Sequence, residues 1–265
     1  IYMPEFISYG NSSDIDSAIY SILQLDFIKE GFNNGEFIKS IANNHLLNLN
    51  NSTIIIIMRL IYNSLHNKYL DTKELLFNIS QYLDKKYTQF TDKPIRTNSI
   101  LKYYMMILYQ IYNEMNHEKD IDIKVLNIIN TQQNIAISTP LFNIQQIIVN
   151  STINNAPKLL LLTIPRRFRP DCSKLNFNYI IHINNVMYTI KQIITYHFDG
   201  DQYTVYNFLH DKNYNFIIYE YSDIDGKSII TDYLNILNDC QKNAELIVYE
   251  KVKCYNEIDI KINKK

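Results

Sequence analysis

The 265-residue sequence contains no tryptophan, only 5 glycines and only 3 cysteines. The cysteines, Cys172, Cys240 and Cys254, lie far apart and form no Cys-x-x-Cys pair, so a structural zinc site of the common type is not expected. An odd number of scattered cysteines fits reduced thiols in an intracellular, cytoplasmic protein. With so few glycines, the chain also has no glycine-rich loop that would hold a phosphate group.

Neither sign of charge dominates, because 26 basic residues stand against 27 acidic residues and the formal net charge is −1. Proteins that bind nucleic acid usually carry a basic excess that neutralises phosphate, so we expect no nucleic-acid partner. The most apolar runs, 54–58 and 159–164, are far shorter than a membrane-spanning helix, so we expect no membrane partner. No targeting segment is visible, and Ile1 suggests a fragment or a processed product.

Hydrophobic residues make up 46% of the chain, which favours a folded domain with a sizeable core. Tyrosine is abundant, with 22 residues, and asparagine, isoleucine and lysine are also dense. Codons for these four residues are rich in A and T. We interpret the bias as a genome signature of the kind found in some large DNA viruses or protists.

Apolar residues in the first half of the chain recur at helical spacing. The first helix follows Gly10, has Ser12, Ser13 or Asp14 as its cap, and buries one face, on which lie Ile15, Ala18, Ile19 and Ile22. The same pattern predicts further helices over 52–68, 72–86 and 97–115.

The pattern changes near Asp120 to short, β-branched apolar segments separated by turn residues. Candidate strands cover 135–138, 159–164, 178–183, 186–196, 202–208, 216–221 and 244–251. Asn184 and Asn185 suit a tight hairpin turn, and a short helix is predicted over 228–238. Helices followed by an antiparallel sheet predict an α+β fold. We expect a single domain over 1–265, with a helical lobe over 1–118 and a sheet lobe over 119–265.

Few residues carry an obvious site by themselves. The six histidines form no His-x-His or His-x-x-x-His pair, so we expect neither a metal nor another cofactor. The basic cluster 166–169 follows a predicted strand. It has three interpretations: pairing with acidic residues, binding of a partner, or a solvated edge.

An ordered set of segments carries more information. Residues 10–17 read Gly-Asn-Ser-Ser-Asp-Ile-Asp-Ser, and 157–168 read Pro, an apolar strand and Arg-Arg-Phe. Then come Tyr-Thr-Ile at 188–190, His197, Gly-Asp-Gln-Tyr-Thr-Val-Tyr at 200–206, and the closing strand Ala-Glu-Leu-Ile-Val-Tyr-Glu at 244–250.

The order and direction of these segments along the chain resemble those of the matching segments in the ubiquitin-specific proteases. Their matching segments are the Gly-Asn-Thr-Cys-Tyr-Met-Asn-Ser box, the Pro–strand–Lys-Arg-Phe segment, the Tyr-x-Leu strand, the His-x-Gly turn, the Gly-Gly-His-Tyr strand and the Ala-Tyr-x-Leu-x-Tyr strand. The helix over 97–108 lacks the family's Gln-Gln-Asp-Ala-x-Glu-Phe signature. The resemblance implies a papain-like fold with a helical thumb packed on an antiparallel palm. Because 120–155 contains no cysteine, it also implies reduced fingers without zinc.

Carried over residue by residue, the resemblance also implies a degenerate catalytic site. The position of the family's cysteine is Ser13, and that of its histidine is Gln202. The oxyanion-stabilising asparagine corresponds to Ser8, and the orienting acid to Ser222 or Asp223. The family's chemistry needs a thiolate and a histidine base, and an amide cannot accept the proton. We therefore expect a pseudoenzyme with no functional catalytic residue.

Three functions remain open after the sequence alone. The first is an inactive scaffold that binds a protein partner, for example a structural protein in the core of a large DNA virus, which would place it in the virion. The second is a pseudo-deubiquitinase that still binds ubiquitin or a ubiquitin-like protein. The third is an active deubiquitinating hydrolase, which would require His197 to turn toward Ser13 and act as its base.

Overall fold

The computed structural model describes residues 6, 13–43, 52–66, 68–73, 100–115, 123–127, 141–143, 156–164, 174–197, 199, 202–210, 216–222 and 227–252. The helices among them are α1 (Ser13–Leu23), α2 (Asp26–Asn33), α3 (Glu36–Asn43), α4 (Thr53–Leu65), α5 (Ile100–Glu114) and α6 (Tyr233–Asn243). The strands are β1 (Ile123–Asn127), β2 (Leu141–Asn143), β3 (Leu159–Thr163), β4 (Lys174–Asn176), β5 (Ile180–Ile183), β6 (Val186–His197), β7 (Gln202–His210), β8 (Phe216–Ser222), β9 (Lys227–Thr231) and β10 (Ala244–Lys251).

Eight of the described strands form one sheet, in the order β1-β3-β10-β6-β7-β8-β9, with β5 paired to the start of β6. Its pairs are antiparallel except for β1, which runs parallel to β3. A separate pair joins β2 and β4 in parallel. The prediction of helices with a largely antiparallel sheet is therefore confirmed.

Helices cover both faces of this sheet, which gives two apolar cores. One core joins α1, α4 and α5 to the sheet through residues such as Ile19, Ile57, Ile107 and Val205. The core on the other face joins α6 to the sheet and includes Ile236 and Cys240 with Phe208 and Tyr249. Side chains alternate between the faces along a strand, so β7 contributes to both cores.

The β5–β6 hairpin turns at Asn184 and Asn185, as predicted. Both residues have positive φ angles, 48° and 64°, which is the backbone of a two-residue turn that matches the twist of the flanking strands. Asparagine tolerates this left-handed conformation better than most residues because its short side chain bonds locally.

The predicted helices over 52–68 and 97–115 are confirmed by α4 and α5, and the helix after Gly10 by α1. The predicted helix over 228–238 is wrong in its first part, because 227–231 pairs with β8 as β9 and the helix begins only at Tyr233. The residue between them, Asp232, has extended backbone angles, φ −105° and ψ 151°.

The sequence pattern missed α2 and α3, whose 8 residues each are too few to display a helical period. It also missed β1, which lies at an edge of the sheet. The predicted strand over 135–138 and nearly all of the predicted helix over 72–86 lie outside the described residues.

The N-terminus of α4 is closed by a side chain from another helix. Glu114, at the end of α5, accepts hydrogen bonds from Ser52 Oγ at 2.6 Å, from the Thr53 amide at 2.7 Å and from the Ile54 amide at 2.9 Å. These amides have no partner within α4 because they belong to its first turn. A buried carboxylate therefore fixes the position of α4 relative to α5.

Candidate functional site

Ser13, the candidate nucleophile position, is the first residue of α1. Buried apolar residues hold this helix against α5 and β7. A further bond links it to the segment after α4, because the Thr72 hydroxyl donates to the buried carboxylate of Asp16. α1 therefore lies on the helical face of the sheet, in contact with β7.

Gln202, at the candidate histidine position, is the first residue of β7 and lies opposite His197 in the β6–β7 register. Its side chain is half-buried, and its Oε1 atom is buried without a hydrogen-bond donor among the residues described. Alternation along β7 gives Gln202 the face of Thr204, whereas Tyr203 and Val205 lie in the core with α1. Gln202 therefore begins the strand that α1 contacts, but its side chain lies on the face of the sheet that α6 covers.

Three aromatic rings join Phe6, α1 and the end of β8. Tyr20 of α1 stacks on Tyr221 of β8 with ring centroids 4.3 Å apart, and Phe6 contacts both rings, at 6.4 Å and 5.4 Å. Tyr221 immediately precedes Ser222, which lies opposite Thr204 in the β7–β8 register. Phe6, α1 and the end of β8 therefore meet at one place. Ser8 and Asp223 lie outside the described residues.

A polar cluster that the sequence did not reveal lies on the opposite face, beneath α6. Asp239 of α6 accepts hydrogen bonds at Oδ2 from Thr195 Oγ1 at 3.0 Å and from the Tyr206 hydroxyl at 2.7 Å. Asn243 Nδ2 donates to its Oδ1 at 2.6 Å, and His197 Nε2 lies 3.5 Å from Oδ2. Asp239 is the centre of this cluster, and it lies one residue beyond the end of the helix predicted over 228–238.

Burial sets the acid–base properties of this cluster. It raises the pKa of Tyr206, and the negative charge of Asp239 raises it further. The pKa of Glu220, which lies opposite Tyr206 on β8, is raised first by burial and then by Asp239, while His197 lowers it. Burial is also the main reason why the pKa of the Cys240 thiol lies well above its usual value.

These shifts determine what the Asp239 cluster can do. The hydroxyls of Thr195 and Tyr206 donate to Asp239, and a raised pKa keeps Tyr206 protonated at neutral pH. Cys240 is buried and protonated, so it is a poor nucleophile. The cluster thus has a histidine and a carboxylate but no activated nucleophile, and its geometry is that of a clamp between α6 and the β6–β7 hairpin.

The position of His197 bears on its use as an alternative base. Its Nε2 atom lies 3.1 Å from Thr195 Oγ1 and 3.5 Å from Asp239 Oδ2. Both partners belong to the α6 side of the sheet, while α1 packs on the other side. His197 is therefore engaged away from α1.

A second charged cluster joins α2 to the sheet. Lys191 Nζ lies 2.6 Å from Asp26 Oδ2 and 3.7 Å from Glu250 Oε2. The Asp26 amide donates to Glu250 Oε2 at 3.4 Å. Burial raises the pKa of Glu250 to about 7, with a further rise from Asp26 that Lys191 opposes. A carboxylate that titrates near neutral pH thus lies at the N-terminus of α2.

Among the described residues, no three His, Cys, Asp or Glu side chains come together as a set of metal ligands. Within the same residues, no helix has the length and apolar character needed to cross a membrane.

No protein-family model matches the sequence, and no curated relative matches it. Solved structures do match. An essential yeast splicing factor superposes with a TM-score of 0.62 at 13% identity, over 95% of this chain and 70% of that chain. The SAGA Ubp8/Sgf11/Sus1/Sgf73 DUB module bound to ubiquitin aldehyde superposes with a TM-score of 0.60 at 8% identity, over 94% of this chain and 70% of that chain.

A third similar structure is the apo Pan2 pseudoubiquitin hydrolase–RNA exonuclease module of Saccharomyces cerevisiae, in complex with AAUUAA RNA. It has a TM-score of 0.62 at 15% identity. The match covers 98% of this chain but 56% of that chain, so this chain spans little more than half of the Pan2 module. At these identities the likeness concerns the fold, and the chain has a ubiquitin hydrolase-like fold.

Proposed function

We propose that this chain is a catalytically inactive member of the ubiquitin-specific proteases that serves as a protein-binding scaffold. The observation that carries the proposal is the residue type at the two matched positions, Ser13 as the first residue of α1 and Gln202 as the first residue of β7. In the family pattern the position of Gln202 holds the histidine that takes a proton from the nucleophile. An amide has no basic nitrogen, so Ser13 would remain an unactivated hydroxyl.

Two of the similar structures support a non-catalytic role for such a fold. One is described as a pseudoubiquitin hydrolase, and another as a splicing factor. A papain-like scaffold that has lost its base keeps a large folded surface on which partners can dock. The proposal includes a single domain over 1–265, with the helical lobe as thumb, the sheet lobe as palm, and fingers that contain no zinc.

The test is hydrolysis of ubiquitin that carries a fluorogenic amide at its C-terminus. The native chain should release no fluorophore above the buffer rate, and Ser13→Ala should behave identically. An active ubiquitin-specific protease in the same plate confirms that the substrate is intact. Turnover by the native chain that Ser13→Ala abolishes would establish the active-hydrolase alternative and remove the proposal.

Ubiquitin binding without turnover is a second candidate function. It is favoured by the similarity to the SAGA module, whose structure was solved with ubiquitin aldehyde. Titration of labelled ubiquitin into the native chain measures it directly. Saturable binding identifies a pseudo-deubiquitinase, whereas a flat titration up to high ubiquitin concentration leaves the partner outside the ubiquitin family.

The cellular setting belongs to the same proposal. Because the chain is rich in residues whose codons are rich in A and T, we propose an origin in a large DNA virus. The protein would then lie in the cytoplasm of the host or in the virion core. Mass spectrometry of purified particles decides this point. Recovery of the chain from particles supports a structural role there, and its absence from them removes the virion assignment.

A further inference from the structure

The buried part of α1 carries polar side chains as well as apolar ones. Ser17 and Ser21 lie four residues apart, so they are neighbours along the helix, and neither has any exposed surface. Gln24 follows three positions later and is only 5% exposed. Among the residues that the structure describes, the hydroxyl oxygens of Ser17 and Ser21 and the Oε1 atom of Gln24 have no hydrogen-bond partner. A buried polar stripe therefore runs along α1.

Asn207, in β7, is a second buried polar group on the same side of the sheet. Alternation along the strand gives Asn207 the face of Val205, which lies in the core with α1. The side chain is completely buried, and neither its Oδ1 atom nor its Nδ2 atom has a partner within the described part of the chain. An asparagine amide offers two donors and one acceptor oxygen. Buried side-chain groups that leave all of them unused are rare in folded proteins.

Contacts on both sides of β7 bring the stripe and Asn207 together. Gln192 of β6 is the cross-strand partner of Asn207, and its Nε2 atom donates to the Ser21 carbonyl oxygen at 2.6 Å. On the other side, Tyr20 stacks on Tyr221 of β8 with ring centroids 4.3 Å apart. Successive residues of α1 thus contact β6 and β8, so this turn of the helix lies over β7, the strand between them.

The lengths of the side chains explain why these groups do not pair directly. Gln192 is long enough to join the sheet to both helices, because it also accepts from the Tyr104 hydroxyl at 3.1 Å. Asparagine is shorter by one methylene group, and serine has the smallest polar side chain. Asn207 therefore does not reach α1 as Gln192 does, and a small molecule with both donors and acceptors is needed between them.

We infer that a water molecule is bound between α1 and β7, hydrogen-bonded to the Asn207 amide and to the hydroxyls of Ser17 and Ser21. Buried waters typically make about three hydrogen bonds to polar groups that lack another partner, and these three side chains supply both donors and acceptors. All three are uncharged, which favours water over an ion, because a buried ion needs a compensating charge. The inference goes beyond the proposed loss of catalysis and does not depend on it.

Nuclear magnetic resonance tests this inference on the native chain. The side-chain amide hydrogens of Asn207 should give a cross-peak to water with the sign of a long-lived bound molecule. Ser17→Ala should shift the resonances of the Asn207 side-chain amide, because it removes one of the water's partners. Assigned Asn207 amide hydrogens without this cross-peak, or with resonances that Ser17→Ala leaves in place, would overturn the inference.

Magnetic relaxation dispersion adds a count of the water molecules held in the interior. Asn207→Leu keeps the size of the side chain but removes its polar atoms, so it should lower this count by about one. The matched control is Thr204→Val, which removes a buried hydroxyl from the other face of the same strand and should leave the count unchanged. An equal count in the native chain and Asn207→Leu, or an equal loss in both variants, would contradict the water site.

A crystal structure of the native chain grown with thallium identifies the occupant. Density for a water molecule within hydrogen-bond distance of Asn207 is the expected result. Direct bonds between Asn207 and other protein groups would overturn the inference, and so would an anomalous thallium peak at this place, because the occupant would then be a monovalent cation.

Discussion

Replacing Glu114 by alanine removes the acceptor that closes the N-terminus of α4. The side chain is only 8% exposed and accepts from one hydroxyl and two backbone amides, at 2.6–2.9 Å. Each unsatisfied buried donor costs about 1–3 kcal/mol. Two stranded amides, with partial relief from water, give an expected loss of about 3–5 kcal/mol in the free energy of unfolding.

Urea denaturation followed by circular dichroism measures this loss as a lower midpoint at an unchanged slope. Glu114→Gln should cost less, about 2 kcal/mol, because one carbonyl oxygen remains as acceptor while the new NH₂ group faces a donor. Glu36→Ala is the matched control, since Glu36 is exposed in the first turn of α3, and its effect should stay within about 0.5 kcal/mol. A loss below about 1 kcal/mol for Glu114→Ala would refute the reasoning, because it would mean that α4 does not rely on this carboxylate.

Two further predictions concern the charged clusters on the sheet. Asp239→Ala should weaken the attachment of α6 to the sheet, because Thr195, Tyr206 and Asn243 lose their common acceptor. Amide hydrogen exchange should become faster in 233–243 and stay unchanged in α5. Equal protection of 233–243 in the variant and the native chain would contradict the role of Asp239 as a clamp. Glu250 has a folded-state pKa raised to about 7 by burial, so its protonated form stabilises the fold. That stabilisation is complete below the unfolded pKa of about 4.3 and is lost as pH rises through about 7. Relative to Glu250→Gln, the free energy of unfolding of the native chain should therefore fall between pH 5 and pH 8. Parallel curves of unfolding free energy against pH for the two proteins would disprove the raised pKa of Glu250.

Strands in the middle of the sheet were predictable because their signals are local. The segments over 186–196 and 202–208 are continuous apolar or alternating runs bounded by turn residues, and β6 and β7 extend them by only one or two residues. The turn at Asn184 and Asn185 follows from the backbone preferences of asparagine. Local patterning therefore predicts the hairpins on which the candidate site depends.

Features built from residues distant in sequence were not predictable. Asp239 gathers partners that lie 33 and 44 positions earlier in the chain, and Glu114 caps a helix about 60 positions before it. No period or motif encodes such contacts, because they form only when separate elements pack. The boundary error at β9 has a related cause, since Ile229 and Ile230 are paired by β8 rather than by a local helical pattern.

The claim that Ser13 and Gln202 occupy the two ends of one former catalytic site has a direct test. Ser13→Cys is prepared alone and together with Gln202→His, and the pKa of the introduced thiol is measured from the pH dependence of alkylation, resolved by peptide mass spectrometry to exclude Cys172, Cys240 and Cys254. A paired histidine should lower that pKa from about 8.5 to below about 7.5. We expect this drop only in the double variant. Identical thiol pKa values in the two variants would contradict it, because they would place Gln202 too far from Ser13 to have been its base.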